Sequence, residues 1–249
     1  MIRLAAGVLL LGLVAWPAAA TPVTRPVTPP LRGVTIVLDP GHQLGNHNFP
    51  REISRLVPAG GFEKRCNTTG TATDSGLPEA TFTWRVSLLV RDRLRALGAR
   101  VVLTRTSNRQ DRWGPCVDER GRLGNDLAAD LKVSIHGDGH PGGHGFHVIA
   151  PTDRAPWTHD IFAASRRLAY AVRSALHGAG LPYADYLAGG DGLAFRSDLG
   201  TLNLSDIPTV LVELGNMRSA SDARLMTSYD GRAAYARALT QGIRGWLDR

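Results

Sequence analysis

Short apolar runs, rich in β-branched residues and separated by helical patterns or Gly-rich loops, leave this chain few ways to fold. Val34 to Leu38 is such a run, bounded by Gly33 and by Asp39-Pro40-Gly41, which reads as a buried strand ended by a turn. Val101 to Leu103, Val133 to Ile135, Phe146 to Ile149 and Thr209 to Val212 are further runs of the same kind. Their near-continuous apolarity suits strands covered on both faces. Between them, Glu79 to Leu97 sets Phe82, Val86, Leu89, Val90 and Leu97 close to one helical face, with Pro78 at the start and Gly98 at the stop. Val117 to Ala129, Ala155 to Gly178 and Gly231 to Leu247 carry comparable helical patterns. The expected fold is a single α/β domain, a mostly parallel twisted sheet flanked by helices on both faces.

The domain is expected over residues 33–249. Ahead of it, Arg3, the apolar run Ala5 to Trp16 and Ala18-Ala19-Ala20 read as a signal peptide over residues 1–20. The run is shorter than the roughly 20 apolar residues that span a bilayer, so a stable membrane span is not expected after cleavage. Residues 21–32, with Pro22, Pro26, Pro29 and Pro30, have the composition of an extended linker. An exported chain meets an oxidising environment, and Cys66 and Cys116 are its only cysteines, without metal-binding spacing. One disulfide between them is the first reading, two buried thiols the second.

The formal charge is +7; without Arg3 the chain has 28 basic against 22 acidic residues, a net of +6. For an exported protein this favours acidic wall polymers or anionic lipid headgroups, and no basic run interleaved with aromatics points to nucleic acid. A secreted or periplasmic, wall-associated monomer is expected.

Four polar residues stand where apolar runs end or a helix begins: His42 after Asp39-Pro40-Gly41, Glu79 at a helix start, His136 after Ser134-Ile135, and Glu213 after Val210-Leu211-Val212. At the carboxyl ends of parallel strands such residues converge on one crevice. Two imidazoles and a carboxylate with a second carboxylate as base are the layout of zinc-assisted hydrolysis. Each residue alone has a plainer reading. His42 suits a turn, Glu79 suits a helix N-terminus, and Glu213 suits a buried pair with Arg196 or Arg218.

Taken together, Leu38-Asp39-Pro40-Gly41-His42, Glu79 opening a helix, Leu103-Thr104-Arg105, Ser134-Ile135-His136, Val212-Glu213-Leu214-Gly215 and the helical tail with Gln241-Gly242-Ile243 resemble the zinc-dependent N-acetylmuramoyl-L-alanine amidases. The resemblance implies a peptidoglycan hydrolase that cleaves the amide between the lactyl group of N-acetylmuramic acid and L-alanine, in wall remodelling or cell separation. It also implies one zinc ion held by His42, Glu79 and His136, with Glu213 as general base and acid. The chain departs from the family pattern at Asp138, where asparagine is common, and at Asn216, where an aromatic residue is common.

Gln43 to Leu77 lacks clear periodicity and follows the first expected ligand directly, as a lid or a disordered loop does. The disulfide is expected to fasten it near the cleft and restrict substrate entry. Asp138 is a candidate partner fixing a ligand imidazole. His140, His144 and His147 are assigned to a loop rim or the sheet surface, with His147 the alternative to Glu79 as a ligand. Two rival functions fit the same residues: an exported zinc peptidase that cuts stem peptides, and a noncatalytic wall-binding regulator.

Overall fold

All five apolar runs form strands of one sheet. The computed structural model describes residues 1–2, 28–187 and 189–248; the expected signal peptide and most of the linker lie outside them. In chain order the elements are β1 (Thr35–Pro40), α1 (Pro50–Ser54), β2 (Leu56–Pro58), β3 (Glu63–Arg65), α2 (Glu79–Ala96), β4 (Arg100–Leu103), α3 (Val117–Arg122), β5 (Leu131–Asp138), β6 (His147–Pro151), α4 (His159–Gly178), β7 (Leu193–Arg196), α5 (Gly200–Asn203), β8 (Thr209–Asn216), α6 (Ala220–Thr227) and α7 (Tyr229–Leu247). The six-stranded sheet has the order β4-β1-β5-β8-β6-β7, and β2 and β3 form a separate hairpin. Its neighbours run parallel except β6 and β8, which are antiparallel, so the sheet is mostly parallel as expected.

The two faces are covered unequally. Ile36, Leu38, Val133, Ile135, Val210 and Val212 turn to one face and pack on Phe82, Val86 and Val90 of α2, Leu168 and Val172 of α4, and Tyr235 and Leu239 of α7. Each such side chain, fully buried, contributes about 1.5–3 kcal/mol. The opposite face carries only α3, α5 and small clusters, Val37 with Ile207, and Ile149 and Leu211 with Leu202. It also buries Asp39, Lys132 and Ser134. That thinner, more polar face holds the cleft.

Several boundaries differ from expectation. The helix expected over Val117 to Ala129 stops at Arg122, because Gly124 takes φ +112°, which a helix cannot contain. The helix expected from Ala155 begins only at His159, since Thr158 is not helical at φ −135°. The packed body begins before Gly33: Leu31 is buried and donates its N–H to Leu97 O at 2.9 Å. Gln43 to Leu77 is no structureless loop. It holds a short 3₁₀ turn, α1 and the β2–β3 hairpin, elements of three to five residues that are too short to leave a periodic pattern.

Cys66 and Cys116 are joined, closing a loop across a sequence separation of 50. With Val57 and Trp113 they form a small apolar cluster that fastens the hairpin segment to the start of α3. Loop-closure entropy for such a span is worth roughly 4 kcal/mol in the unfolded chain, although measured gains are often smaller. Replacing both cysteines by serine is therefore expected to lower the unfolding free energy by about 2–4 kcal/mol, measured by urea denaturation; an unchanged midpoint would contradict this role.

Candidate active site

The chain leaves β1 towards β4 on one side and returns to β5 on the other, so the crevice between the carboxyl ends of β1 and β5 is the point where the winding reverses. Open α/β sheets bind ligands at such a point. His42 follows β1 and His136 lies in β5, so the two imidazoles flank that crevice, with ring centroids 5.1 Å apart. Glu79, the first residue of α2, enters between them. Its Oε2 is 3.2 Å from His42 Nε2 and its Oε1 is 2.9 Å from His136 Nδ1. The backbone N–H groups of Thr71 and Gly137 donate to the same carboxylate at 3.0 and 3.3 Å.

His42 has φ +56°, a left-handed conformation that is uncommon for a residue with a side chain. Such strain costs on the order of 1–3 kcal/mol and persists only where the surroundings impose it. Here two buried arginines do so. Arg120 donates to Pro40 O and His42 O, both at 2.7 Å, and Arg105 donates to Pro40 O at 3.1 Å and Ala80 O at 2.7 Å. Arg120 also pairs with Asp39 at 2.6 Å, and Ser134 and Thr104 donate to the same carboxylate. Burial alone would raise the Asp39 carboxyl, but the Arg120 charge and these hydrogen bonds outweigh it and hold it well below the usual carboxylate range.

The same competition governs the cluster itself. Burial opposes charge on Glu79, yet His42 and His136 together hold its carboxyl low, and Glu79 in turn raises His42. Glu213 behaves in the opposite way. It is the register partner of His136 on the neighbouring strand, so both side chains leave the same face. Burial, with the charges of Glu79 and Asp138, pushes its carboxyl well above the ordinary range, and Arg196 opposes this only in part. Neither arginine considered from sequence pairs with it: Arg196 is bound to Asp198 at 2.7 Å and Arg218 to Asp74 at 2.9 Å.

The donor set fits a zinc ion. In tetrahedral coordination with bonds of about 2.0–2.1 Å, ligand atoms stand about 3.3 Å apart. One ligand atom from each of His42, Glu79 and His136 lies within 4.8 Å of the others. Glycines leave the room: a Cβ on Gly41 would stand 2.5 Å from the His136 ring, and one on Gly70, which has φ +76°, 2.8 Å from Glu79 Oε2. His42 Nδ1 faces Thr68 O at 3.1 Å, which turns Nε2 towards the cluster. That outer partner is Thr68 and not Asp138, whose Oδ1 accepts from Gly139 N.

His147 is not in the cluster; it is buried in β6, where burial lowers its pKa to about 4. His140 stacks on Tyr186, and His144 pairs with Asp185 at 2.9 Å. Asn216 donates to the carbonyls of His140, Gly142 and Gly143 and so pins the Gly-rich loop after β5. Sequence reasoning missed Arg120, Thr68 and Gly70. Only Arg120 left a signal, standing three residues before Leu123 on an inward helical stripe. In front of the imidazoles lies a cavity of about 480 Å³, walled by Leu56, Lys64 and Arg65 of the hairpin segment and by Leu199 and Thr201 opposite.

Polar groups gathered at the carboxyl ends of parallel strands, beside a cleft, make this an open α/β domain with its ligand-binding site at the reversal of the sheet. The family model for N-acetylmuramoyl-L-alanine amidases matches residues 36–245, and the chain belongs to that family. It is 44% identical over 236 residues to the N-acetylmuramoyl-L-alanine amidase Rv3717 of Mycobacterium tuberculosis, covering 92% of this chain and 94% of the relative. The crystal structure of the amidase Ami1 from Mycobacterium smegmatis superposes with a TM-score of 0.81 at 43% identity, over 88% of this chain and 98% of that one. Ami1 from Mycobacterium abscessus, in its apo form, gives 0.80 at 45%, over 87% and 100%.

The buried carboxylates set an acid limit on stability. A carboxyl held low in the folded state and near 3.9 in the unfolded state, as expected for an aspartate, stabilises fully above that value and loses its contribution as the pH falls towards the folded value. Asp39 is the clearest case. The urea midpoint is expected to fall steeply between about pH 5 and pH 2, and Asp39→Asn, less stable at neutral pH, is expected to show a shallower acid dependence. An equal dependence in both proteins would contradict the assignment.

Proposed function

We propose that the chain is a zinc-dependent amidase that hydrolyses the bond between the lactyl carbonyl of N-acetylmuramic acid and the amine of L-alanine in peptidoglycan. The observation that carries this reading is the convergence of His42, Glu79 and His136 beside Glu213 at the reversal point of the sheet, in a chain matched to the amidase family over residues 36–245. His42, Glu79 and His136 would hold the zinc. Bound there, the metal would polarise the scissile carbonyl and acidify a water.

The chain's own residues do the rest. Glu213 accepts the proton of the attacking water as its oxygen bonds to the lactyl carbon. The same carboxyl then gives that proton to the alanine nitrogen as the C–N bond breaks, leaving a lactyl carboxylic acid and a free amine. Its raised affinity for protons suits both transfers, because a carboxyl of ordinary pKa is a poor acid at neutral pH. Thr71 and Gly137 keep Glu79 facing both imidazoles through its two oxygens. The hairpin segment, fastened by the disulfide, bounds the cavity and restricts what enters it.

The expected setting is the exported, wall-associated side of the cell, in remodelling or separation of the wall, and the net charge of +6 without Arg3 (28 basic against 22 acidic residues) favours anionic wall polymers. Among the described residues no helix is long and apolar enough to cross a membrane.

Digestion of purified wall is expected to release peptides with free L-alanine amines from intact glycan strands, read by mass spectrometry, and a chelator should abolish the release. Glu213→Gln is expected to retain zinc while turnover falls by about 10²–10⁴-fold. Cuts within the stem peptide would instead favour the peptidase, and wild-type turnover in the variant would refute the role of Glu213.

A further inference from the structure

Three buried side-chain atoms that make no close hydrogen bond among the described residues sit together beside the active site: Glu213 Oε2, His147 Nδ1 and Tyr186 Oη, the last with the Asp138 carboxylate near it. Their proximity is built into the fold. His147 on β6 is the register partner of Glu213 on β8, which sets the two side chains next to each other on one face of the sheet. The His147 ring meets Tyr186 edge-on, with centroids 6.1 Å apart and an interplanar angle of 85°. Tyr186 is held in turn by His140, stacked on it at 4.5 Å and 14°. The His140 carbonyl is tied back to β8 by the Asn216 side chain at 3.0 Å.

Native proteins seldom leave buried polar atoms unpaired, and several at one place call for a common explanation. The chemistry of these three is complementary. An ionised carboxylate only accepts hydrogen bonds, a phenol donates one, and a neutral imidazole donates one through whichever nitrogen carries the proton. Burial lowers the His147 pKa to about 4, so its ring is neutral at physiological pH. Two donors therefore face the Glu213 carboxylate, directly or through a bridging water, and the Asp138 carboxylate stands beside the phenol as a second acceptor in the same network. Arg196 and Arg218 are paired with Asp198 and Asp74 and form no ion pair with this carboxylate.

We propose that His147 and Tyr186 are positioning residues for the amidase reaction, holding the Glu213 carboxylate in a shared buried hydrogen-bond network. The inference rests on the reading of Glu213 as the base. A carboxylate that takes a proton from one side and delivers it to another must keep its orientation through both transfers, and small displacements of such a group are costly. It also accounts for a histidine at the β6 position and for the stacked His140–Tyr186 pair, neither of which the metal cluster uses.

The test compares Tyr186→Phe, which removes only the hydroxyl, with His147→Leu and with His147→Asn, whose amide returns a donor close to the Nδ1 position. On a muramoyl-peptide substrate, Tyr186→Phe and His147→Leu are expected to lower kcat roughly tenfold or more. KM should stay within roughly twofold, with zinc content and melting temperature unchanged, and His147→Asn should recover most of kcat. Independently, ¹⁵N spectra of the histidines should show His147 as a neutral ring with its proton on Nδ1, and that signal should move in Tyr186→Phe. Unchanged kcat in both Tyr186→Phe and His147→Leu, or losses that follow zinc content or melting temperature, would overturn the proposal. Wild-type turnover in Glu213→Gln would instead remove the reading on which it rests.

Discussion

The Glu79 carboxylate is where four distant segments of the chain meet. One oxygen faces His136 and the N–H of Gly137, both in β5; the other faces His42 after β1 and the N–H of Thr71 in the hairpin segment. A carboxylate buried to this degree is tolerable only when every lone pair is answered. That requirement fixes the start of the Glu79–Ala96 helix against both strands and against the loop carrying Thr68 to Thr71. The helix adds its own positive N-terminal field in the same direction. Removing this one group would uncouple the crevice from the elements that form its walls.

Around that hub the fold gives up local comfort for placement. His42 is held in a left-handed conformation, and two buried guanidinium groups answer the carbonyls of the turn that carries it. Arg120 is itself neutralised by Asp39, which Ser134 and Thr104 complete. Gly41 and Gly70 leave no side chain where the imidazoles and the carboxylate must close up. Glu213, one strand away, is paired with neither Arg196 nor Arg218, and burial beside the charges of Glu79 and Asp138 keeps its proton affinity raised. In the proposed reaction, the contrast between two carboxyls, one held as an anion and one ready to bind a proton, would give the site an acid–base function beside a cation-binding one.

Much of this was legible in the sequence, and the reason differs by element. The Glu79–Ala96 and Tyr229–Leu247 helices span several turns, so their apolar stripes stand out. The strands ending near His42, His136 and Glu213 stand out because both faces are covered and the polar residue breaks an apolar run. The Leu56–Pro58 and Glu63–Arg65 strands are too short for any period to register, and the four-residue Leu193–Arg196 strand at the sheet edge is half exposed, its short apolar run Leu193-Ala194-Phe195 carrying no β-branched residue. Gly124 cut short a helix whose apolar pattern continued past it. Thr68 acts through its own backbone carbonyl, and Arg120 and Asn216 through the backbone carbonyls they donate to, and backbone partners leave no mark in a list of side chains.

The central claim is that His42, Glu79 and His136 form one preorganised zinc site. X-ray absorption at the zinc edge of the purified protein, with zinc per chain quantified, tests it most directly. The account predicts one zinc per chain with two imidazoles and oxygen ligands at about 2.0–2.1 Å, and loss of that metal in Glu79→Ala. A spectrum with sulfur ligation or a single imidazole, or full amidase activity in protein free of metal, would contradict it.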